Sequence, residues 1–283
     1  MLRNSRIPLQ LCDSGQTEAV IDRNCEAFLR ACALRGVDFR RTLMLGRQQL
    51  EDTSFAESFF RELGADSVES IDASEFEGAT IIADLNRPLP ESLRRRFSVV
   101  FDGGTLEHVF DIATALRSCL DMVELGGHYL GTSPANNWPG HGFYQISPEL
   151  VFRTLSQDSG FEIRGVFIAE LRRRQRWYLI RDPKDHGRRV YWRNPYRTQI
   201  VTVARRNELI DLSNFIPQQS DYVARWQTEG HVTDAVGMRA AIKRWAPRPA
   251  VDLLRTLQRR RNEQLRPPLF TPVSLERLGE HIR

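Results

Sequence analysis

Apolar residues along this chain keep two different rhythms. In residues 17–35, Val20, Ile21, Cys25, Phe28, Leu29 and Cys32 recur at the three-and-four spacing of one helix face. Thr17 stands at the position of an N-cap and Gly36 at that of a C-terminal stop. Short stretches with apolar residues at 42–45, 68–72, 80–85, 98–101 and 128–132 follow, and they read as strands. Between them, residues 51–63 place Phe55, Phe59 and Leu63 on one side of a helix that Gly64 ends. Residues 106–125 place Val109, Ile112, Ala113, Leu116, Leu120 and Val123 on one stripe, predicting a long helix stopped by Gly126-Gly127. Ser147-Pro148-Glu149 predicts a further helix, with Ser147 as N-cap, Pro148 in the first turn and Gly160 as the stop.

Strands without strict polar alternation suit a sheet covered on both faces, and their alternation with helices suits parallel pairing. Residues 1–16 look irregular. After Gly160, residues 161–169 and 198–204 are strand-like and flank an Arg- and aromatic-rich insert, 172–197. Beyond Arg206 the pattern is helical, most clearly at 250–265 before Pro267-Pro268. The fold expected is therefore α/β: a Rossmann-like, doubly wound, mostly parallel sheet with an antiparallel C-terminal strand pair and a helical C-terminal extension. Segment boundaries are expected at 1–40, 41–206 and 207–283.

Composition narrows the class. With 283 residues, 41% hydrophobic and 27% charged, the chain is neither collagen-like, mucin-like nor broadly disordered. No run of about 18 apolar residues exists, so no transmembrane helix is expected. No apolar stretch follows the first six residues, so no signal peptide is expected either. Four cysteines (Cys12, Cys25, Cys32, Cys119) lack the spacing of a zinc site or a disulfide framework, which fits a reducing, cytoplasmic setting. The net charge of +4 conceals an acidic first part and a basic second part. Residues 1–160 carry 15 Arg against 23 acids, and residues 161–283 carry 23 Arg and 2 Lys against 13. Such asymmetry suits a polyanion surface, yet the dominance of Arg over Lys throughout suits a GC-rich coding bias equally well. The runs Arg172-Arg173-Arg174-Gln175-Arg176-Trp177-Tyr178 and Arg188-Arg189-Val190-Tyr191-Trp192-Arg193 interleave cations with aromatics. They suit either a grip on nucleic acid or glycan, or a solvated hairpin packed on a sheet edge.

In open parallel sheets, ligands lie beyond the carboxyl ends of the strands near the switch point. The residues standing there are Gly46, Asp72, Asp84 and Asp102-Gly103-Gly104. Asp72 after the second strand can accept hydrogen bonds from ribose hydroxyls or cap the following turn with Ser74. Asp102 can meet a ligand or cap the turn with Gly103-Gly104, and glycines after the fourth strand allow a ligand to approach the backbone.

The stretch Phe97-Ser98-Val99-Val100-Phe101-Asp102-Gly103-Gly104-Thr105-Leu106-Glu107-His108-Val109 resembles class I S-adenosylmethionine-dependent methyltransferases, in particular their Leu-Glu-His-Val branch. Gly126-Gly127-His128-Tyr129-Leu130 with Ser133-Pro134, and Ala83-Asp84-Leu85-Asn86, are similar to further segments of that branch. The likeness spans roughly residues 40–205, and 106–134 is its most specific part. It implies S-adenosylmethionine as cofactor, held by Gly46, Arg47, Gln48, Asp72, Asp84, Asp102 and Gly103. It also implies transfer of a methyl group to a hydroxyl of a small-molecule or carbohydrate-like substrate. The loop Pro134-Ala135-Asn136-Asn137-Trp138-Pro139-Gly140-His141-Gly142-Phe143-Tyr144-Gln145 follows the fifth strand, where substrate enters. His141 or His108 is the expected base, each weighed against a purely structural role, and Glu107 reads as a charge favouring a helix start.

The first motif departs from the family. Only Gly46 of the glycine-rich loop remains; Gln48 and Leu50 stand where glycines belong and Met44 where an acid does. A side chain at a close-approach glycine fills the pocket or moves the loop, and Arg47 or Gln48 would then have to replace backbone amides as donors. Two alternatives stay open for this reason. One is a non-catalytic relative that binds a partner or polyanion through the Arg-rich half; the other is a nucleic-acid methyltransferase. No carboxylate or histidine cluster at ligand spacing occurs along the chain, so no metal is expected, and the elbow and P-loop motifs of hydrolases and nucleotide-binding enzymes are missing.

Overall fold

The computed structural model describes residues 21–171, 176–186, 192–228 and 269–282. Its first five strands are β1 (Arg41–Leu45), β2 (Ser67–Asp72), β3 (Ile81–Ile82), β4 (Phe97–Asp102) and β5 (Val123–Asn136). They pair in parallel in the order β3-β2-β1-β4-β5, so the winding reverses between β1 and β4. β6 (Phe161–Glu170), β7 (Arg176–Ile180), β8 (Thr198–Arg206) and β9 (Phe270–Val273) complete a nine-stranded sheet in which β8 lies antiparallel between β5 and β6.

Side-chain alternation along the strands divides the core into two layers. Leu43, Leu45 and Val100 face one layer with α3 (Ile112–Met122) and α4 (Pro148–Thr154). Met44, Val99 and Phe101 face the other with α1 (Arg23–Leu34), α2 (Glu57–Glu62) and the 3-10 turn Leu275–His281. Burial on both faces is why these strands read as continuous apolar runs.

Several element boundaries differ from the sequence expectation. The N-cap of α1 is Asp22, whose carboxylate accepts from the N–H groups of Asn24 and Cys25 (3.0 and 2.8 Å); Thr17 lies outside the described residues. Residues 51–56 turn, so α2 is confined to six residues. The expected helix over 106–125 is broken into the 3-10 turn Leu106–His108 and α3, which Asp111 caps through Thr114 N–H (3.1 Å). Gly126-Gly127 do not stop a helix. They lie inside β5, where the register slips from Phe97↔Val123 to Val99↔His128. A Cβ on Gly127 would stand 2.9 Å from the Ser98 carbonyl oxygen, so glycine is what lets this bulge lie against β4.

The antiparallel strand pair expected after Gly160 is present as β6 and β8. Within the insert, β7 pairs with β6, and β9 from the C-terminal segment pairs with β7. The described part of that segment thus holds a strand and a 3-10 turn besides α5 (Ser220–Thr228), in place of a wholly helical extension. The helix expected at 250–265, Pro267-Pro268, and Arg172–Arg174, Arg188, Arg189 and Arg259–Arg261 lie outside the described residues.

One buried charge ties the two halves of the sheet. Arg206 on β8 is fully enclosed, and its guanidinium donates to the carbonyls of Leu120, Asp121 and Val123 (3.0, 3.1 and 2.8 Å) at the end of α3. It thereby satisfies carbonyls that a helix C-terminus leaves unpaired. Among the described residues, no helix is long and apolar enough to cross a membrane.

Candidate functional site

The carboxyl ends of β1, β2 and β4 meet at the switch point. Gly46 adopts φ +68°, and its N–H donates to Ile71 O (2.8 Å), turning the chain away from the tip of β1. Gln48 folds back over that turn and is buried, with its amide nitrogen bonded to Leu45 O. Thr105 Oγ1 donates to the same carbonyl at 2.7 Å. The Gln48 amide lies against Gly103, where a Cβ would meet Oε1 at 2.8 Å and Cδ at 2.9 Å. Gln48 Oε1 is buried and accepts no hydrogen bond.

Arg47 points elsewhere. Its guanidinium pairs with Glu57 (2.7 Å), donates to Glu77 O (2.9 Å) and stacks on the Phe55 ring at 3.7 Å from its centroid. It fastens the loop after β1 to the loop after β2. Asp72 is half-buried at the tip of β2, and one carboxylate oxygen accepts from Ser74 N–H at 3.0 Å. Asp84 is exposed and accepts from both nitrogens of Asn86 (2.9 and 2.8 Å), which hold its carboxyl below the usual range.

Asp102 is fully enclosed, and both of its oxygens are engaged. One accepts from the N–H groups of Thr105, Gly104 and Leu106 (2.9, 3.3 and 3.4 Å), the other from Tyr129 OH and Ser133 Oγ (3.2 and 3.4 Å). Burial pushes its carboxyl up while these donors oppose the shift. From the sequence, Asp102 is either a ligand contact or a cap on the turn with Gly103-Gly104. Its first oxygen holds the Gly103–Leu106 turn in shape, as the capping role has it.

The second cluster lies over β4 and β5. Glu107 follows the turn that Asp102 caps, and its side chain is 1% exposed. Neither carboxylate oxygen makes a hydrogen bond. Burial, followed by the nearby Asp102 charge, raises its carboxyl to about 8. The loop after β5 docks here, with Phe143 and Tyr144 N–H donating to Glu107 O (2.7 and 3.2 Å). This brings His141 Nε2 to 3.5 Å from Glu107 Oε1, and packs its ring at 4.9 Å from both His108 and Trp138. His108 is exposed.

Trp138 anchors the loop through its indole N–H to Thr198 O (3.0 Å), and Asn137 anchors it through its amide to Asn194 and Tyr196. Phe110 and Phe143 stand edge-to-face at 5.7 Å, 71% and 65% exposed. The fold thus joins His108 and His141, and joins Gly46, Gln48 and Gly103, but it leaves Asp84 on an exposed turn. Sequence reasoning passed over Glu107 as a helix-start charge. The clue was available in an acid immediately before a histidine and after a strand.

The sequence matches no protein-family model and no curated protein. Among solved structures, the chain is similar to Burkholderia thailandensis 1,6-didemethyltoxoflavin-N1-methyltransferase, solved with bound 1,6-didemethyltoxoflavin and S-adenosylhomocysteine. The TM-score is 0.42 at 16% identity, covering 68% of this chain and 80% of that one. It is also similar to the cyclase SpnF (TM-score 0.41, 14% identity, 64% and 80% covered). A third is an S-adenosylmethionine-dependent methyltransferase from Mesorhizobium loti (TM-score 0.38, 19% identity, 63% and 95% covered). None of these likenesses bears on what this chain binds.

Proposed function

We propose that the chain is an S-adenosylmethionine-dependent methyltransferase that modifies a hydroxyl of a small-molecule or carbohydrate-like substrate. The observation that carries this reading is a pair of uncommitted acceptors at the switch point. Asp72 makes no hydrogen bond through its second oxygen, and Gln48 Oε1 is buried with no donor. An adenosyl sulfonium amino acid offers complementary donors, namely ribose hydroxyls for Asp72 and an ammonium for Gln48. These two acceptors match donors of that compound, while the side-chain donors that would replace the glycine amides, Arg47 and the Gln48 nitrogen, are engaged by Glu57, Glu77 O and Leu45 O. Arg47 keeps its ion pair with Glu57 and steadies the loop. Asp84 presents its carboxylate on the turn after β3, and Gly46 and Gly103 keep the strand tips low.

When bound, the cofactor supplies a methyl group made electrophilic by its sulfonium. The protein's part is alignment, exclusion of water and proton acceptance. His141 Nε2 is the group to take the hydroxyl proton, with His108 packed beside it. Phe110 and Phe143 offer apolar faces to a ring at the mouth of the site.

A second reading draws on the same residue. The Gln48 amide fills the space left by the missing side chain of Gly103, which favours a relative whose crevice is closed and which binds a partner instead. Calorimetry with S-adenosylmethionine and S-adenosylhomocysteine separates the two. The enzyme reading expects binding that falls more than tenfold in Asp72→Ala. No heat and no thermal stabilisation at millimolar ligand would leave the binding-module reading. The nucleic-acid alternative is tested by RNA retention that falls steeply with added salt.

A further inference from the structure

We propose that Glu107, His108 and His141 form a binding site for a divalent transition-metal ion. The ligand atoms of these three residues all lie within 4.8 Å of one another, and His141 Nε2 stands 3.5 Å from Glu107 Oε1. An ion with bonds of about 2.0–2.2 Å holds ligand pairs roughly 3 to 3.5 Å apart, so only small side-chain movements separate this arrangement from a coordinated one. The second observation is Glu107 itself. Its carboxylate is enclosed, yet neither oxygen accepts a hydrogen bond. A buried carboxylate without donors is unfavourable unless it keeps a proton or meets a cation. His141 Nε2 at 3.5 Å pairs with this carboxylate when protonated, and a metal cation placed between the three groups would engage all of them.

The backbone holds the ligand-bearing segments together before any ion arrives. Phe143 and Tyr144 N–H clamp the His141 loop onto the Glu107 carbonyl. Gly142 makes this approach possible, since it adopts φ +70° and a Cβ there would stand 2.8 Å from Glu107 O. Two imidazoles with one carboxylate suit zinc, iron(II), cobalt(II) or manganese(II) better than calcium or magnesium. Three protein ligands leave a coordination position free for a water or a substrate oxygen, and an ion held there would replace the proton-accepting role of the His141 nitrogen by acidifying the bound oxygen. An oxygen-bearing ligand is the class such a position takes.

The test reads metal directly and needs no methyl-transfer assay, so its result stands whether or not the chain binds S-adenosylmethionine. Tag-free protein is stripped with chelator and titrated calorimetrically with zinc(II), and separately with cobalt(II) followed by visible absorption. One equivalent is expected, with affinity falling at least tenfold in Glu107→Gln and in His141→Ala and unchanged in the distant His281→Ala. Binding below half an equivalent, or unaltered affinity in both site variants, overturns the proposal. Should either of these variants fail to unfold cooperatively, His108→Ala, altering an exposed ring, decides: at least fivefold weaker binding supports the site and unchanged binding overturns it.

Discussion

The contact between Gln48 and Gly103 makes a quantitative prediction about the strand-tip site. In Gly103→Ala, the new Cβ meets Gln48 Oε1 at 2.8 Å, Gln48 Cδ at 2.9 Å and Phe101 Cε1 at 2.9 Å. Overpacking of this kind costs about 1–3 kcal/mol. Gln48→Ala alone is expected to lie within about 1 kcal/mol of the parent, because two effects oppose each other. Packing is lost, but the buried, unpaired Oε1 disappears, and Leu45 O keeps its hydrogen bond from Thr105. In the double variant, two of the three close contacts are gone and only Phe101 resists. The two substitutions should therefore couple favourably by about 1 kcal/mol. Urea denaturation of the four proteins at pH 7, with equal m-values, measures the coupling. Additivity to within roughly 0.5 kcal/mol would refute the placement of the amide. Gln48→Ala also reports on function: loss of the acceptor should weaken S-adenosylmethionine binding several-fold, and tighter binding would mean the amide is an obstruction.

Other substitutions probe the frame of the site. His128 is pushed down to about 4 by burial and by Arg205 and Arg164, so its stabilising contribution is complete above its unfolded value near 6.5. It is lost as pH falls toward 4, by about 3 kcal/mol in total; His128→Phe should flatten that limb of the stability profile, and parallel profiles would contradict it. Asp102→Asn keeps an acceptor for the turn and should cost no more than about 1 kcal/mol, whereas Asp102→Ala orphans its N–H donors and should cost about 2–4 kcal/mol in urea denaturation. Arg206→Met strands three carbonyls at the end of α3 and should lower stability by about 2–4 kcal/mol, read as a drop in Tm. Equal stability of the Arg206 variant would show that those carbonyls find other donors.

How far the chain can be read without its fold differs from element to element. β1 and β4 follow from their apolar runs, since a strand buried on both faces carries its environment in its own residues. The positions of Gly46 and Asp102 at strand ends follow for the same reason. β3, by contrast, shrinks to two residues, and the stripe at 106–125 breaks after His108. Helical periodicity does not record where a neighbouring strand must begin its ladder. β7 and β9 lie in an Arg-rich insert and a tail, and become strands only because each finds an unpaired edge. The site depended most on tertiary structure. Gln48 and Gly103 are far apart in sequence, as are Glu107 and His141, so no spacing rule links them. Asp102 and Asp72 look alike as acids after strands, yet one is enclosed by Tyr129 and Ser133 and the other stays open. Local pattern sets which residues stand at the strand tips. Only the packing of distant segments decides which of them remain free to meet a ligand, because enclosure and hydrogen-bond saturation are properties of neighbours the chain brings in from elsewhere.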